Sequence, residues 1–399
     1  MTHPPGGRPS AGRWHIGCDP VTVQWRGLRK VSPTSVSQDP PVMKIAVVGH
    51  LKFPIAKPFC GGLEMFTHAL VQRLVRRGHD VTLFASADSD RELPVEAIID
   101  RSTIAASRDA FGREDHGWIE AAEDEAYEGL MSRLTMSDFD VVHNNSISPV
   151  PLAFAEVLPM PMMTTLHVPV LPRLRDVLEQ RGGYRCGRFI NISRSNARKW
   201  RGLLPQQDIV HNGVDCEFWK SCDDGPRQRR AVWFGRILAD KGTHYAIDAA
   251  HRAGLPIDII GPIADEEYFE SSVRPMLRDD DVFHGHQSHE EICRLVGSAA
   301  VSLVTPCWDE PFGLVVAESL ACGTPVAAFD RGAIRELVPR HCGRVVAPGH
   351  TAALSCAIRR CLELSNDDCR RHARNRFSLT RMLDEYESVL TPRRVAVAA

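Results

Sequence analysis

Seven residues separate two glutamates, Glu310 and Glu318, in the stretch CWDEPFGLVVAESLACGTPVAAF, Cys307 to Phe329. Asp309, Glu310 and Pro311 have the chemistry of a loop entering a helix, because proline is tolerated at a first helical position. Leu314 to Ala321 reads as a short helix ended by Gly323, with Pro325 two residues on, and PVAAF reads as a buried strand. Eight helical steps of ~100° leave the two carboxylates about 80° apart around the axis. Both can then border one cleft at different depths. Between them, the backbone N–H groups of Phe312, Gly313 and Leu314 are the orphan donors of a helix N-terminus, which binds anions. Gly313 leaves room for close approach. Carboxylates that accept hydroxyl protons, beside a phosphate-binding helix end, suit a nucleotide sugar. A glutamate at a helix start also serves simply to offset the helix dipole, so this reading needs support from the rest of the chain.

Arg236 and Lys241 supply some. They flank a turn, GRILADKG, directly after the strand Ala231–Phe234. A guanidinium fork and an ammonium there would neutralise a diphosphate leaving group; taken alone they are two solvated loop charges. Other groupings carry less. His284, His286 and His289 lack a carboxylate or thiolate at set spacing, which disfavours a metal site. Asp88-Ser89-Asp90 follows a strand and suits a turn or cap. The basic run Asn196–Arg201 and the arginines from Arg173 to Arg188 suit a solvated face, and any contact with acidic lipid through them would be peripheral.

The elements that must position these groups follow a repeated strand–helix order. Lys44–Val48 is a buried strand, and Leu63, Phe66, Leu70 and Leu74 mark the apolar stripe of a helix. Gly61-Gly62 precedes that helix after a long loop. This is not the tight G-x-G-x-x-G turn, so a nicotinamide or flavin site is disfavoured. Short strands at Asp140–Val142, Met162–Leu166 and Arg188–Ile192 end in His143-Asn144-Asn145, His167 and Ser193-Arg194, and ligands in open parallel sheets bind beyond such ends. A second strand–helix series starts at residue 231. We expect an α/β protein of two doubly wound, Rossmann-like domains facing an interdomain cleft. Residues 1–42 read as a disordered extension, 43–220 as the first domain, 221–230 as a linker, 231–378 as the second domain, and 379–399 as a C-terminal helix, which could cross back to the first domain, and a tail.

Composition bounds the function. The chain has 399 residues, 43% hydrophobic and 25% charged, with a formal net charge of −2, which gives no general attraction to nucleic acid. No apolar run reaches the length of a membrane span. The 12 cysteines form no Cys-x-x-Cys pair, which fits reduced thiols in a cytoplasmic protein.

In order along the chain, GGLEMFTHAL with RRGHDVTLFAS, then VVHNN, TTLH, HNGVD, FGRILADKG and EPFGLVVAESLACGTPVAA resemble the blocks of the family 4 retaining glycosyltransferases of GT-B architecture, over roughly residues 43–329. The chain is also similar to the small bacterial members described as tetrahydrobiopterin glucosyltransferase-like. The resemblance implies that Arg236 and Lys241 hold the donor diphosphate, that Glu318 binds ribose hydroxyls, and that Glu310 contacts sugar hydroxyls. It implies that Gly313 and Leu314 offer N–H groups to phosphate, with Phe312 beside them. Gly61 and Gly62 would lie near donor phosphate and acceptor, and His167 would face the sugar. It further implies retention of anomeric configuration by front-face displacement, and no metal or other cofactor. The donor expected is a UDP-hexose, with a GDP-mannose-dependent mannosyltransferase as the alternative and a non-catalytic nucleotide-sugar-binding protein as the rival class. The acceptor, a small molecule, glycan or lipid, is left open.

Overall fold

Short aliphatic runs buried on both faces are what a parallel sheet between helices requires. The computed structural model, which describes residues 42–220 and 227–391, contains two such sheets. The first holds β1 (Lys44–Val48), β2 (Asp80–Ser86), β3 (Val95–Ile99), β4 (Val141–Asn144), β5 (Met162–Leu166), β6 (Arg188–Asn191) and β7 (Asp208–Ile209), in the order β3-β2-β1-β4-β5-β6-β7. The second holds β8 (Gln228–Phe234), β9 (Ile257–Ile260), β10 (Val282–Gly285), β11 (Ala299–Val304), β12 (Val326–Phe329) and β13 (Gly343–Val346), in the order β10-β9-β8-β11-β12-β13. Every pairing is parallel. The direction of winding reverses between β1 and β4 and again between β8 and β11. These are the switch points where doubly wound sheets form a crevice for ligands.

The helices are placed by their apolar stripes. Helix Gly62–Arg76 buries Phe66, Leu70, Val71 and Leu74, about one residue per turn, in one core with Ile45 and Val47 of β1. Met382, Leu383, Tyr386 and Leu390 of helix Leu379–Leu390 enter that same core. This helix, the last among the described residues, therefore completes the first domain. Its partly charged face is also fixed: the Arg77 guanidinium donates to Glu387 at 2.6 Å, and His79 Nε2 lies 3.1 Å from the same carboxylate.

Several boundaries differ from the sequence reading. β8 begins at Gln228, so residues 228–230 belong to the second sheet and not to a linker. Arg227 is anchored too, donating to Ala299 O at 2.7 Å and Cys322 O at 3.0 Å. Strand β3 and helix Asn366–Phe377 were not anticipated. The expectations for the N-terminal extension, for most of the linker and for the C-terminal tail fall outside the described residues. Among the described residues, no helix is long and apolar enough to cross a membrane.

Candidate active site

Loops at the carboxyl ends of the two sheets enclose a cavity of about 920 Å³. One wall comes from the segment after β1 and from helix Gly62–Arg76, including Lys57, Cys60 and His68. The opposite wall comes from the ends of β8, β9 and β10 and the start of helix Leu314–Ala321, including Arg236, Gly261 and Leu314. Arg236 reaches this wall directly after β8, and among the described residues it makes no hydrogen bond or ion pair. A guanidinium brought to a cavity without a protein partner is available for an anionic ligand.

The ends of two helices meet beside it. A β-carbon placed on Gly62 would stand 2.8 Å from Leu314 Cδ1, so the start of the first-domain helix comes within side-chain contact of the start of the second-domain one. Gly313 caps the latter helix at φ 101°, in the left-handed region that favours glycine. The Gly313 and Leu314 amides donate to no protein acceptor among the described residues. Orphan amides at a helix start carry partial positive charge, here on the wall that also presents Arg236.

Lys241 and Glu310 lie next to each other. Lys241 Nζ donates to Glu310 Oε2 at 2.8 Å and stands 5.1 Å from the centre of the Trp308 ring. Their loops are tied together: Cys307 N donates to Asp240 O at 2.8 Å, and Thr305 Oγ1 donates to Gly242 O at 2.9 Å. An ammonium and a carboxylate are thus held as a ready pair at the end of β11. Glu318 differs. It is 5% exposed, does not line the cavity, and its carboxyl has no partner among the described residues. Burial, followed by the neighbouring Cys293, raises its pKa to about 8.

On the first-domain side, His50 Nε2 lies 2.6 Å from Glu64 Oε1, both groups being buried. Burial pushes the Glu64 pKa up, but the hydrogen bond and charge of His50 outweigh it, and Arg236 across the cavity adds to the net lowering. Among the described residues, Glu64 Oε2 and His50 Nδ1 have no hydrogen-bond partner. Neither residue lines the cavity. His167 Nε2 lies 2.8 Å from Asn145 Oδ1, and desolvation lowers its pKa to about 3. The imidazole is therefore neutral at pH 7. With Nε2–H donating to Asn145, its Nδ1 is left as an acceptor.

The two domains are also pinned beside the site. Ser193 Oγ donates to Pro311 O at 2.6 Å, and Lys199 Nζ donates to Asp309 Oδ2 at 2.8 Å. Glu336 accepts from the Arg194 and Ser195 amides at 3.0 and 3.1 Å and lies 2.6 Å from His211 Nε2. Burial would raise the Glu336 pKa, yet His211 and these amides leave it lowered.

Of the residues singled out in the sequence, Arg236 and Leu314 line the cavity, and Gly61 and Gly62 adjoin it through Cys60 and the Leu314 contact. The two glutamates do not share its wall: Glu310 is engaged by Lys241 and Glu318 is buried. The Phe312 side chain is core, 2% exposed, with its ring 6.0 Å from those of both His211 and Phe377. His143 is fully buried and packs against Tyr386. Asp88 accepts from Ser102 N and Oγ, and Asp90 from Glu92 N while lying 2.8 Å from His68, so both serve turns. His284 is paired with Asp258 at 2.9 Å. The His50–Glu64 pair and Lys57 were not foreseen. Glu64, three residues after the Gly61 cap, stands where a capping-box glutamate would, which is the one local signal for it.

Both domains have counterparts among known proteins. The family model for Glycosyltransferase Family 4 matches residues 60–218, and that for Glycosyl transferases group 1 matches residues 225–377. Glycogen synthase of Mycobacterium tuberculosis is 27% identical over 368 residues, covering 82% of this chain and 88% of the relative. The MMP alpha-(1->4)-mannosyltransferase of Mycolicibacterium hassiacum is 24% identical over 377 residues, covering 80% and 90%. Among solved structures, Anabaena Alr3699/HepE in complex with UDP superposes with a TM-score of 0.68 at 18% identity, over 87% of this chain and 99% of that one. AviGT4, a glycosyltransferase involved in avilamycin A biosynthesis, superposes with a TM-score of 0.62 at 21% identity, over 87% and 97%.

Proposed function

Because the chain is a glycosyltransferase of GT-B architecture, we propose that it transfers a hexosyl group from a UDP-linked donor to an acceptor hydroxyl, with retention, in the cleft between its two sheets. The observation that carries this is Arg236, unpaired at the cavity wall that also holds the unused amides at the start of helix Leu314–Ala321. The choice of UDP is supported by the shared fold with Anabaena HepE, whose structure was solved with UDP-glucose. Arg236 and the Gly313 and Leu314 amides receive the diphosphate. Lys241, released in part from Glu310, adds its charge as the leaving group departs. The freed Glu310 carboxylate accepts from sugar hydroxyls, and His167 Nδ1 accepts from another. The acceptor oxygen attacks the anomeric carbon on the face the diphosphate leaves, and a leaving phosphate oxygen takes the acceptor proton. We assign no step to a divalent ion, since Asp88 and Asp90 are engaged in turns and the cationic groups above can carry the charge work.

A donor panel tests this. UDP-hexoses and GDP-mannose are offered with and without acceptor extracts, and nucleoside diphosphate release is followed. Release of UDP from a UDP-hexose is expected. Preferential consumption of GDP-mannose would replace the donor, and binding without any turnover would leave a nucleotide-sugar-binding protein.

A pH dependence follows for Glu318. Its pKa of about 8 leaves it protonated in the free protein at neutral pH. Ribose hydroxyls that donate to the carboxylate would favour the ionised form and lower that pKa on binding. By linkage, affinity for UDP then rises with pH, by up to about tenfold per unit, and levels off above the free-state value. Calorimetric titrations from pH 6.5 to 9 are expected to show this rise in the unmodified chain and not in Glu318→Gln. A flat profile in the unmodified chain would remove the ribose from Glu318.

A further inference from the structure

Away from the cleft, three metal-ligating side chains converge on elements the proposed reaction does not use. His341 and Cys342 occupy the turn before β13, and His372 projects from helix Asn366–Phe377. One ligand atom from each lies within 4.8 Å of the other two. The turn is fixed by its backbone: Cys342 N donates to Pro339 O at 2.9 Å and Gly343 N donates to the same oxygen at 3.1 Å. Helix Asn366–Phe377 is fixed by burial of Cys369, Ala373 and Phe377. The convergence therefore rests on two anchored segments and not on flexible surface side chains.

The donor set has a definite chemistry. The two imidazoles meet edge to face, with ring centres 5.5 Å apart. His372 Nε2 is buried and has no hydrogen-bond partner among the described residues. A ring nitrogen in that position loses its water without compensation unless something occupies the space in front of it. Cys342 is buried; its sulfur lies 3.6 Å from Asp368 O, and its carbonyl oxygen accepts from the Cys369 thiol at 3.8 Å. Two nitrogens and one sulfur, with no carboxylate among them, suit a borderline-soft ion and not magnesium or calcium.

We propose that His341, Cys342 and His372 bind one zinc-class divalent ion, with the fourth position open to water. The ion ties helix Asn366–Phe377 to the edge of the second sheet. That helix leads through Ser378 into helix Leu379–Leu390, which completes the first-domain core, so the ion secures the joint at which the chain crosses back. Its role is structural and lies apart from the sugar chemistry.

Cobalt(II) is the probe. The chelator-treated full chain is titrated with cobalt and followed by absorbance. One equivalent is expected to produce the thiolate-to-cobalt charge-transfer band with tetrahedral visible bands, and zinc is expected to displace both. Cys342→Ser should remove the charge-transfer band. His341 is exposed, so His341→Gln leaves folding intact and decides the matter if the serine variant does not fold. It should weaken cobalt binding at least about tenfold and abolish the rise in melting temperature that zinc gives the unmodified chain. Absence of the thiolate band in the unmodified chain overturns the proposal. So does an undiminished band in His341→Gln or Cys342→Ser, which would put cobalt on another thiol such as Cys60 or Cys356.

Discussion

Arg236→Met is expected to lower donor turnover about 10²–10³-fold, the usual cost of removing one preorganised group from a developing anion, while leaving the melting temperature within a degree or so of the unmodified value. The two halves have one cause. Arg236 has no hydrogen bond or ion pair among the described residues and stands at the cavity wall, so its removal breaks nothing in the free protein, and surface changes of that kind cost little stability. Beyond a minor attraction to Glu64, its charge is left for a bound anion. Steady-state release of nucleoside diphosphate, beside a thermal melt, measures both. Full turnover in the variant would remove the diphosphate from this guanidinium. A large fall in melting temperature would mean that Arg236 is a structural group.

The second large effect separates the two glutamates. At about pH 8.5, above the free-state pKa of about 8 for Glu318, Glu318→Gln is expected to weaken UDP and intact donor alike by roughly ten- to a hundredfold, the equivalent of one hydrogen bond to a charged group. Glu310→Gln is expected to leave UDP affinity nearly unchanged and to lower turnover of the intact donor. Its carboxylate is held by Lys241 at 2.8 Å in the free protein and meets the ligand only where sugar is present, so its contribution belongs to the transition state. Calorimetry for UDP and a turnover assay, on both variants shown to be folded, give the comparison. Equal behaviour toward free UDP would end this division of labour.

The architecture was legible where local pattern and burial coincide. Strands such as Lys44–Val48 and Met162–Leu166 are continuous apolar or β-branched runs because both faces of the sheet are covered. β3 escaped because Glu96 and Ala97 are exposed on an edge strand with no buried residue to mark it. Helix Asn366–Phe377 escaped because its buried stripe is Cys369, Ala373 and Phe377, among which only phenylalanine is strongly apolar, although the Ser365 cap and the acidic first turn of Asp367 and Asp368 are start signals. The amphipathic pattern of residues 379–390 shows that one face is buried but not which sheet covers it. In the site, the turn carrying Arg236 and the Gly313 helix start could be read from their place after strands. Side-chain partnerships could not. That Lys241 grips Glu310, that Glu318 is buried and off the cavity wall, and that His50 pairs with Glu64 are set by contacts between segments, which spacing along the chain does not encode.

Amide hydrogen exchange of the full chain, with and without saturating UDP, tests most directly the claim that the cleft receives a nucleoside diphosphate. The account predicts slowed exchange at the two helix starts that face each other, residues 61–64 and 312–318, and along the turn 235–242, with little change at residues 341–342 and 366–377. Protection centred elsewhere, or no binding of UDP, GDP or their sugars with exchange in these segments unmoved, would contradict it.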